Sequence, residues 1–248
     1  MIVLKRPDEI ARMRAAGRIV GQLLEEIGRR IRPGVTTAEL DRFAEAFIRE
    51  RGAIPSFKGY RGYPASICTS VNEQVVHGIP GDRPLREGDI LSVDVGVVLD
   101  GYHGDAARTF PVGEVDERAR RLLEVTEQAL WAGIEQARVG RHLSDIGHAI
   151  QRLVESAGLS VVREFVGHGI GRQMHEEPQV PNYGLPGRGV RLRAGMTLAI
   201  EPMVNEGASD VTILEDQWTA VTVDGSRSAH FEHTVAITDD GPVVLTLP

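Results

Sequence analysis

GDILSVDVGVVLDGYHGDAARTF, residues 88–110, carries two acids inside two apolar runs that meet at Asp100-Gly101. An Asp-Gly pair between such runs is a favoured two-residue hairpin turn. Closed there, the hairpin pairs Asp105 with Gly96 and leaves Asp94 two residues further along the same face. Diagonal neighbours of this kind lie roughly 7–8 Å apart, within reach of one shared ion. A turn of another length would reverse the parity. Asp94 is embedded among Ile90, Leu91, Val93, Val95, Val97 and Val98. A strand this apolar is expected to be covered on both faces, and a carboxylate buried there needs compensation.

Outward from this segment the chain repeats itself. Asp94 lies six residues after Gly88, and Glu201 lies six after Gly195 in GMTLAIEPM, an offset of 107. Upstream, GVTTAELDRFAEAFIRERG (34–52) resembles GRHLSDIGHAIQRLVESAG (140–158) at an offset of 106, matching Leu40 with Ile146, Phe47 with Leu153 and Ile48 with Val154. Two related halves are expected, about 1–113 and 114–248, within one domain spanning 1–248. Each delivers two acids to one place, Asp94 with Asp105 and Glu201 with Glu232.

The helical pattern supports this division. Pro7 suits a first helical turn, and apolar residues from Ile10 to Ile27 keep a helical period to about Arg32. Pro33-Gly34 stops it. Thr36 with Glu39 forms a capping box for a second helix ending at Gly52. Residues 116–138 and about 144–157 repeat the pair. Short β-type runs are expected at 65–69, 90–99, 103–112, 161–165, 197–202, 218–223 and 230–238. The pattern is an α+β fold, with two αα-then-β repeats whose sheets meet.

Composition narrows the classes. The 248 residues are 42% hydrophobic and 25% charged, an ordinary globular balance. No apolar run is long enough for a membrane span, and MIVLKRPDEI lacks signal-peptide organisation. Cys68 is the only cysteine, which excludes an intrachain disulfide and a thiolate cluster. A cytoplasmic protein without membrane contact is expected. The net charge of −7 offers no specific nucleic-acid footprint. Arg6, Arg12, Arg14, Arg18, Arg29, Arg30 and Arg32 read as a solvated face interspersed with acids.

Four converging carboxylates with few adjacent cations call for divalent metal. His168, in FVGHGIG, offers a nitrogen ligand, with flanking glycines that leave room for substrate. An oxygen-rich site with one imidazole suits catalytic manganese, iron, cobalt or zinc, with nickel a further candidate. Two ions sharing carboxylates hold a hydroxide at neutral pH and polarise a carbonyl, which points to amide hydrolysis.

VNEQVVHGIP, DVGVVLDGYHGDAARTF, GHGIGRQMHEEPQV, AIEPM and FEHTVAIT together resemble the type I methionine aminopeptidases of the pita-bread fold, over essentially the whole chain. About 33 residues separate His168 from Glu201, too few for the type II insertion. The resemblance implies two divalent ions held by Asp94, Asp105, His168, Glu201 and Glu232. Asp105 and Glu232 would bridge them, with Asp94 on one ion and His168 with Glu201 on the other. It implies that His77 contacts the substrate near the scissile nitrogen and that His175 stabilises the oxyanion, with Glu201 doubling as proton shuttle. A methionine slot maps to Phe57, Tyr60, Tyr63, Cys68, Met174 and Trp218, with Arg61 at its rim in place of a common His and Met174 in place of Phe. The implied activity is removal of the initiator methionine from nascent chains when the second residue is small and uncharged, by a monomer that meets the ribosome. His103, His142, His148, His230 and His233 are read as structural or surface residues. An Xaa-Pro peptidase and a non-catalytic binding protein of the same fold are the alternatives.

Overall fold

The computed structural model describes Met1–Pro248. The first half contains α1 (Pro7–Gly28), α2 (Thr37–Glu50), β1 (Ile54–Pro55), β2 (Cys68–Val71), β3 (Gln74–Val76), β4 (Ile90–Leu99) and β5 (Tyr102–Pro111). The second begins with α3 (Glu117–Gln136) and α4 (Leu143–Ser156), followed by β6 (Ser160–Val161), β7 (Gly167–Gly169), β8 (Glu176–Val180) and β9 (Thr197–Ile200). It continues through β10 (Met203–Asn205), β11 (Val211–Ile213), β12 (Ala220–Thr222), β13 (Ser228–His230), β14 (His233–Thr238) and β15 (Gly241–Val244). All strand pairings are antiparallel, so the architecture is α+β.

The repeat extends to backbone detail. The Thr36 hydroxyl accepts from the Glu39 N–H at 3.2 Å, while the Glu39 carboxylate accepts from the Thr36 N–H at 2.8 Å. At the start of α4 the Asp145 carboxylate accepts in the same way from the His142 N–H at 2.9 Å. Thr36 bridges to Pro84, and His142 bridges to Arg191. Gly88 and Gly195 enter β4 and β9 with φ of 87° and 90°, a region that side-chain-bearing residues avoid.

Each half has its own apolar core. Val20, Leu23, Ile27, Leu40 and Ile48 of the first helix pair pack on Leu91, Val93, Val95 and Val97. Leu122, Leu130, Ile134, Ile146 and Ile150 of the second pair pack on Leu198, Ile200, Val235 and Ile237. The halves meet where β5 runs beside β13 and β14. There the Thr234 hydroxyl accepts from the Asp105 N–H (3.0 Å) and donates to its carbonyl (2.8 Å). The Thr109 hydroxyl does the same for His230, at 2.8 and 2.9 Å. Each half therefore fastens a strand of the other at the seam.

Some elements differ from the sequence reading. α1 ends at Gly28, four residues early, because its C-cap at Arg29 begins the turn that aims the chain at α2. The expected strand at 161–165 shrinks to Ser160–Val161, since Phe165 turns inward to a cavity. The expected strand at 230–238 breaks at Phe231-Glu232, between β13 and β14. Short strands such as β7 and β10, of three residues each, carry too few residues for alternation to reveal them.

Candidate metal and substrate site

The β4–β5 hairpin turns at Asp100 and Gly101, with φ of 50° and 77°. Gly96 pairs with Asp105 and Asp94 with Ala107, so the two aspartates are diagonal neighbours on one face. In the second half the register of β9 with β14 (Ile200 to His233) continues through β10 with β13 (Met203 to His230). Glu201 and Glu232 occupy the interruption between them, directly opposite one another. β7 inserts His168 beside Ala199 of β9.

Buried carboxylate oxygens of Asp94, Asp105 and Glu232 have no hydrogen-bond partner. Ligand atoms of Asp105, His168 and Glu232 lie within 4.8 Å of one another, and His168 Nε2 lies 3.4 Å from a Glu201 oxygen. His168 Nδ1 is 2.8 Å from the Gly169 carbonyl. That oxygen can only accept, so Nδ1 carries the proton and Nε2 presents a lone pair to the acids. Burial pushes the Asp94 carboxyl up to about 7. Burial, then neighbouring carboxylates, push Asp105, Glu201 and Glu232 well above the usual range. Burial holds His168 down at about 3. Neutral imidazole and crowded, unpartnered carboxylates are the donor set that hard or borderline divalent cations require, and these residues fit them.

The glycines beside His168 serve another purpose than the expected one. A Cβ on Gly167 would lie 2.3 Å from the Ala199 carbonyl oxygen, and one on Gly169 would lie 2.2 Å from that of Glu177. They point away from His168 because side chains alternate along a strand. Their smallness admits the neighbouring backbone rather than substrate.

Every residue assigned to the site from the sequence lines one cavity of about 200 Å³. Phe57, Tyr63, Cys68 and Met174 form a buried cluster at its base with Tyr60 and Trp218 packed against it. Tyr63 and Trp218 meet edge to face, their ring centroids 5.1 Å apart. Across the cavity His77 has φ of 61°, a strained conformation for histidine, and its ring meets Phe165 edge-on. Burial lowers its pKa to about 4, so it is neutral at physiological pH. His175 lies at the mouth, its ring 4.3 Å from that of His168, and its Nδ1 is 2.9 Å from the Tyr60 hydroxyl.

The structure also brings in His230, which sequence reasoning set aside. It is 2% exposed, and its Nε2 has no partner and faces a Glu201 oxygen at 3.7 Å. Its position two residues before Glu232 was the available signal. The other histidines lie elsewhere: His103 bonds Ser56, His148 meets the Gly184 carbonyl, His233 bonds Thr246, and the backbone N–H of His142 caps α4.

A buried four-carboxylate, one-imidazole centre at the seam of two αα-β halves defines a class, and comparison agrees. The chain belongs to metallopeptidase family M24, whose model matches residues 11–239. Within that class it belongs with the methionine aminopeptidases. It is 57% identical to methionine aminopeptidase 1 of Bacillus subtilis over 99% of both chains. It is 58% identical to methionine aminopeptidase of Clostridium acetobutylicum, over 100% of this chain and 99% of that one. The crystal structure of methionine aminopeptidase from Thermotoga maritima superposes with a TM-score of 0.99 at 51% identity, over 100% of both chains.

Proposed function

We propose that the chain hydrolyses the bond after an N-terminal methionine when the second residue is small and uncharged, with two divalent ions. The observation that carries this is the meeting, in one cavity, of the unpartnered carboxylate centre and a closed slot of aromatic and sulfur-bearing side chains. Asp94, Asp105, His168, Glu201 and Glu232 would hold the ions. Bound there, the ions supply Lewis acidity toward the peptide carbonyl and a nucleophile drawn from water at neutral pH.

The remaining steps belong to side chains. Phe57, Tyr63, Cys68, Met174 and Trp218 enclose the methionine side chain, where a thioether gains from contact with ring edges. With the Tyr60 hydroxyl as donor across its 2.9 Å contact to His175 Nδ1, the His175 proton sits on Nε2, and that nitrogen is then a donor for the developing oxyanion. His77, kept neutral by burial, is suited to contact the scissile nitrogen. Glu201 is placed to carry a proton from water to the leaving amine. Metal-loaded protein should cleave Met-Gly readily, Met-Val less well, and Ala-Pro not at all. Turnover of Ala-Pro without Met-Gly would overturn the reading in favour of a proline-directed relative.

A further inference from the structure

A second concavity, of about 740 Å³, opens directly onto the first. The two share Arg61, Val166, His168 and His175 as a common neck. A peptide held with its first residue in the inner cavity and its scissile bond at the carboxylates can leave through this shared neck. The outer groove therefore receives the residues that follow the small second one.

The charges around this groove are unevenly matched. Glu176 is bound to Lys5 at 2.5 Å and also accepts from the Gln173 N–H at 3.1 Å. Glu9 accepts from the Tyr102 hydroxyl at 2.7 Å and from the Arg6 N–H at 2.9 Å. Glu177 is exposed and stands alone. Against it stand two exposed guanidinium groups that have no carboxylate within salt-bridge distance, and each is carried on an aromatic face. Arg61, at the neck, lies 5.4 Å from the centre of the Tyr60 ring, and Arg172 lies 4.6 Å from that of Tyr102. Arg61 also has a φ of 50°, so its backbone is held in an uncommon conformation that sets where the side chain leaves the loop. Guanidinium groups stacked on rings keep their donors free and lose little further freedom on meeting a carboxylate.

We infer that the outer groove is a binding site for the third and following residues of the peptide and that Arg61 and Arg172 make it select acidic side chains there. The inference rests on the aminopeptidase reading above and adds a preference which that reading does not contain. Because both arginines are exposed, the preference is set by charge complementarity and weakens as salt screens it.

The test compares C-terminally amidated Met-Ala-Glu-Glu, Met-Ala-Ser-Ser and Met-Ala-Lys-Lys with the metal-loaded full chain at about 50 mM and 500 mM salt. The acidic peptide should exceed the basic one in kcat/KM by about tenfold at low salt, chiefly through KM, and by only about twofold at high salt. In the Arg61→Glu, Arg172→Glu double variant the order should reverse, an outcome that loss of a merely structural role would not produce. Equal kcat/KM for all three peptides, or a preference unchanged in the double variant, would overturn the inference and leave the aminopeptidase reading intact. Failure to cleave Met-Ala-Ser-Ser would overturn both.

Discussion

The two halves of this chain share a frame and differ where the chemistry is. In the first, β4 and β5 form one unbroken hairpin of ten-residue strands, and Asp94 and Asp105 sit diagonally on it. In the second, the equivalent ladder is interrupted, so that Glu201 and Glu232 face one another. Ser70 pairs with Ser92, and His168 pairs with Ala199 at the position equivalent to Ser92 under the 107-residue offset. A serine thus stands in one half where the imidazole stands in the other. Directly opposed like charges destabilise a ladder, and the longer glutamates occupy a place where the backbone has already left regular pairing. The regular half provides a rigid shelf, and the broken half provides reach and the nitrogen ligand.

This contrast can be broken most severely at the acids between the halves. Asp105→Asn or Glu232→Gln should lower kcat by more than about 100-fold, beyond the 10–100-fold typical of changes behind the ligands, and should reduce metal content measured by elemental analysis. Full metal content with retained turnover would show that neither residue joins the two sides. His168→Ser tests the asymmetry itself by giving the second half the residue of the first. Weakened metal binding by calorimetry is expected, with activity down by about 10–100-fold. An unaltered variant would make His168 a spectator.

The reciprocal threonines should behave alike despite lying in different halves. Thr109→Val and Thr234→Val each strand a backbone N–H and a carbonyl at the seam, and each should cost about 1–3 kcal/mol in denaturant unfolding. A loss at only one of them would mean that the seam is carried by one half.

The smallest effect expected is on pH dependence in metal-free protein. The four carboxylates have pKa values raised by folding, so their contribution favours the fold at low pH and is lost as pH rises, with Asp94 titrating near 7. His77, His168 and His230 are lowered by burial to about 4, 3 and 3, so their contribution is present above their unfolded value and is lost as pH falls. The two sets oppose each other below about pH 6.5, and above it only the carboxylates remain. With chelator, Tm should fall from pH 6.5 to 8, and added divalent metal should abolish the slope. A chelated protein whose Tm rises across that interval would contradict the crowding of ionised acids.

Much of this molecule could be read from local chemistry. The Asp100-Gly101 turn determines the parity that puts Asp94 and Asp105 on one face, because both residues adopt the positive φ that a two-residue turn demands. The Gly88 and Gly195 turns mark the repeat and Thr36 marks the start of α2, since caps and turns depend on residues within a few positions of one another. Tertiary structure alone decided how the halves meet. Thr109 reaches His230 and Thr234 reaches Asp105 across 121 and 129 residues, and no periodicity records such a contact. The same holds for the aim of His168, for the inward turn of Phe165 and His230, and for the groove that Arg61 and Arg172 overlook. Each depends on the packing of one surface against another, and that packing is set by the chain as a whole.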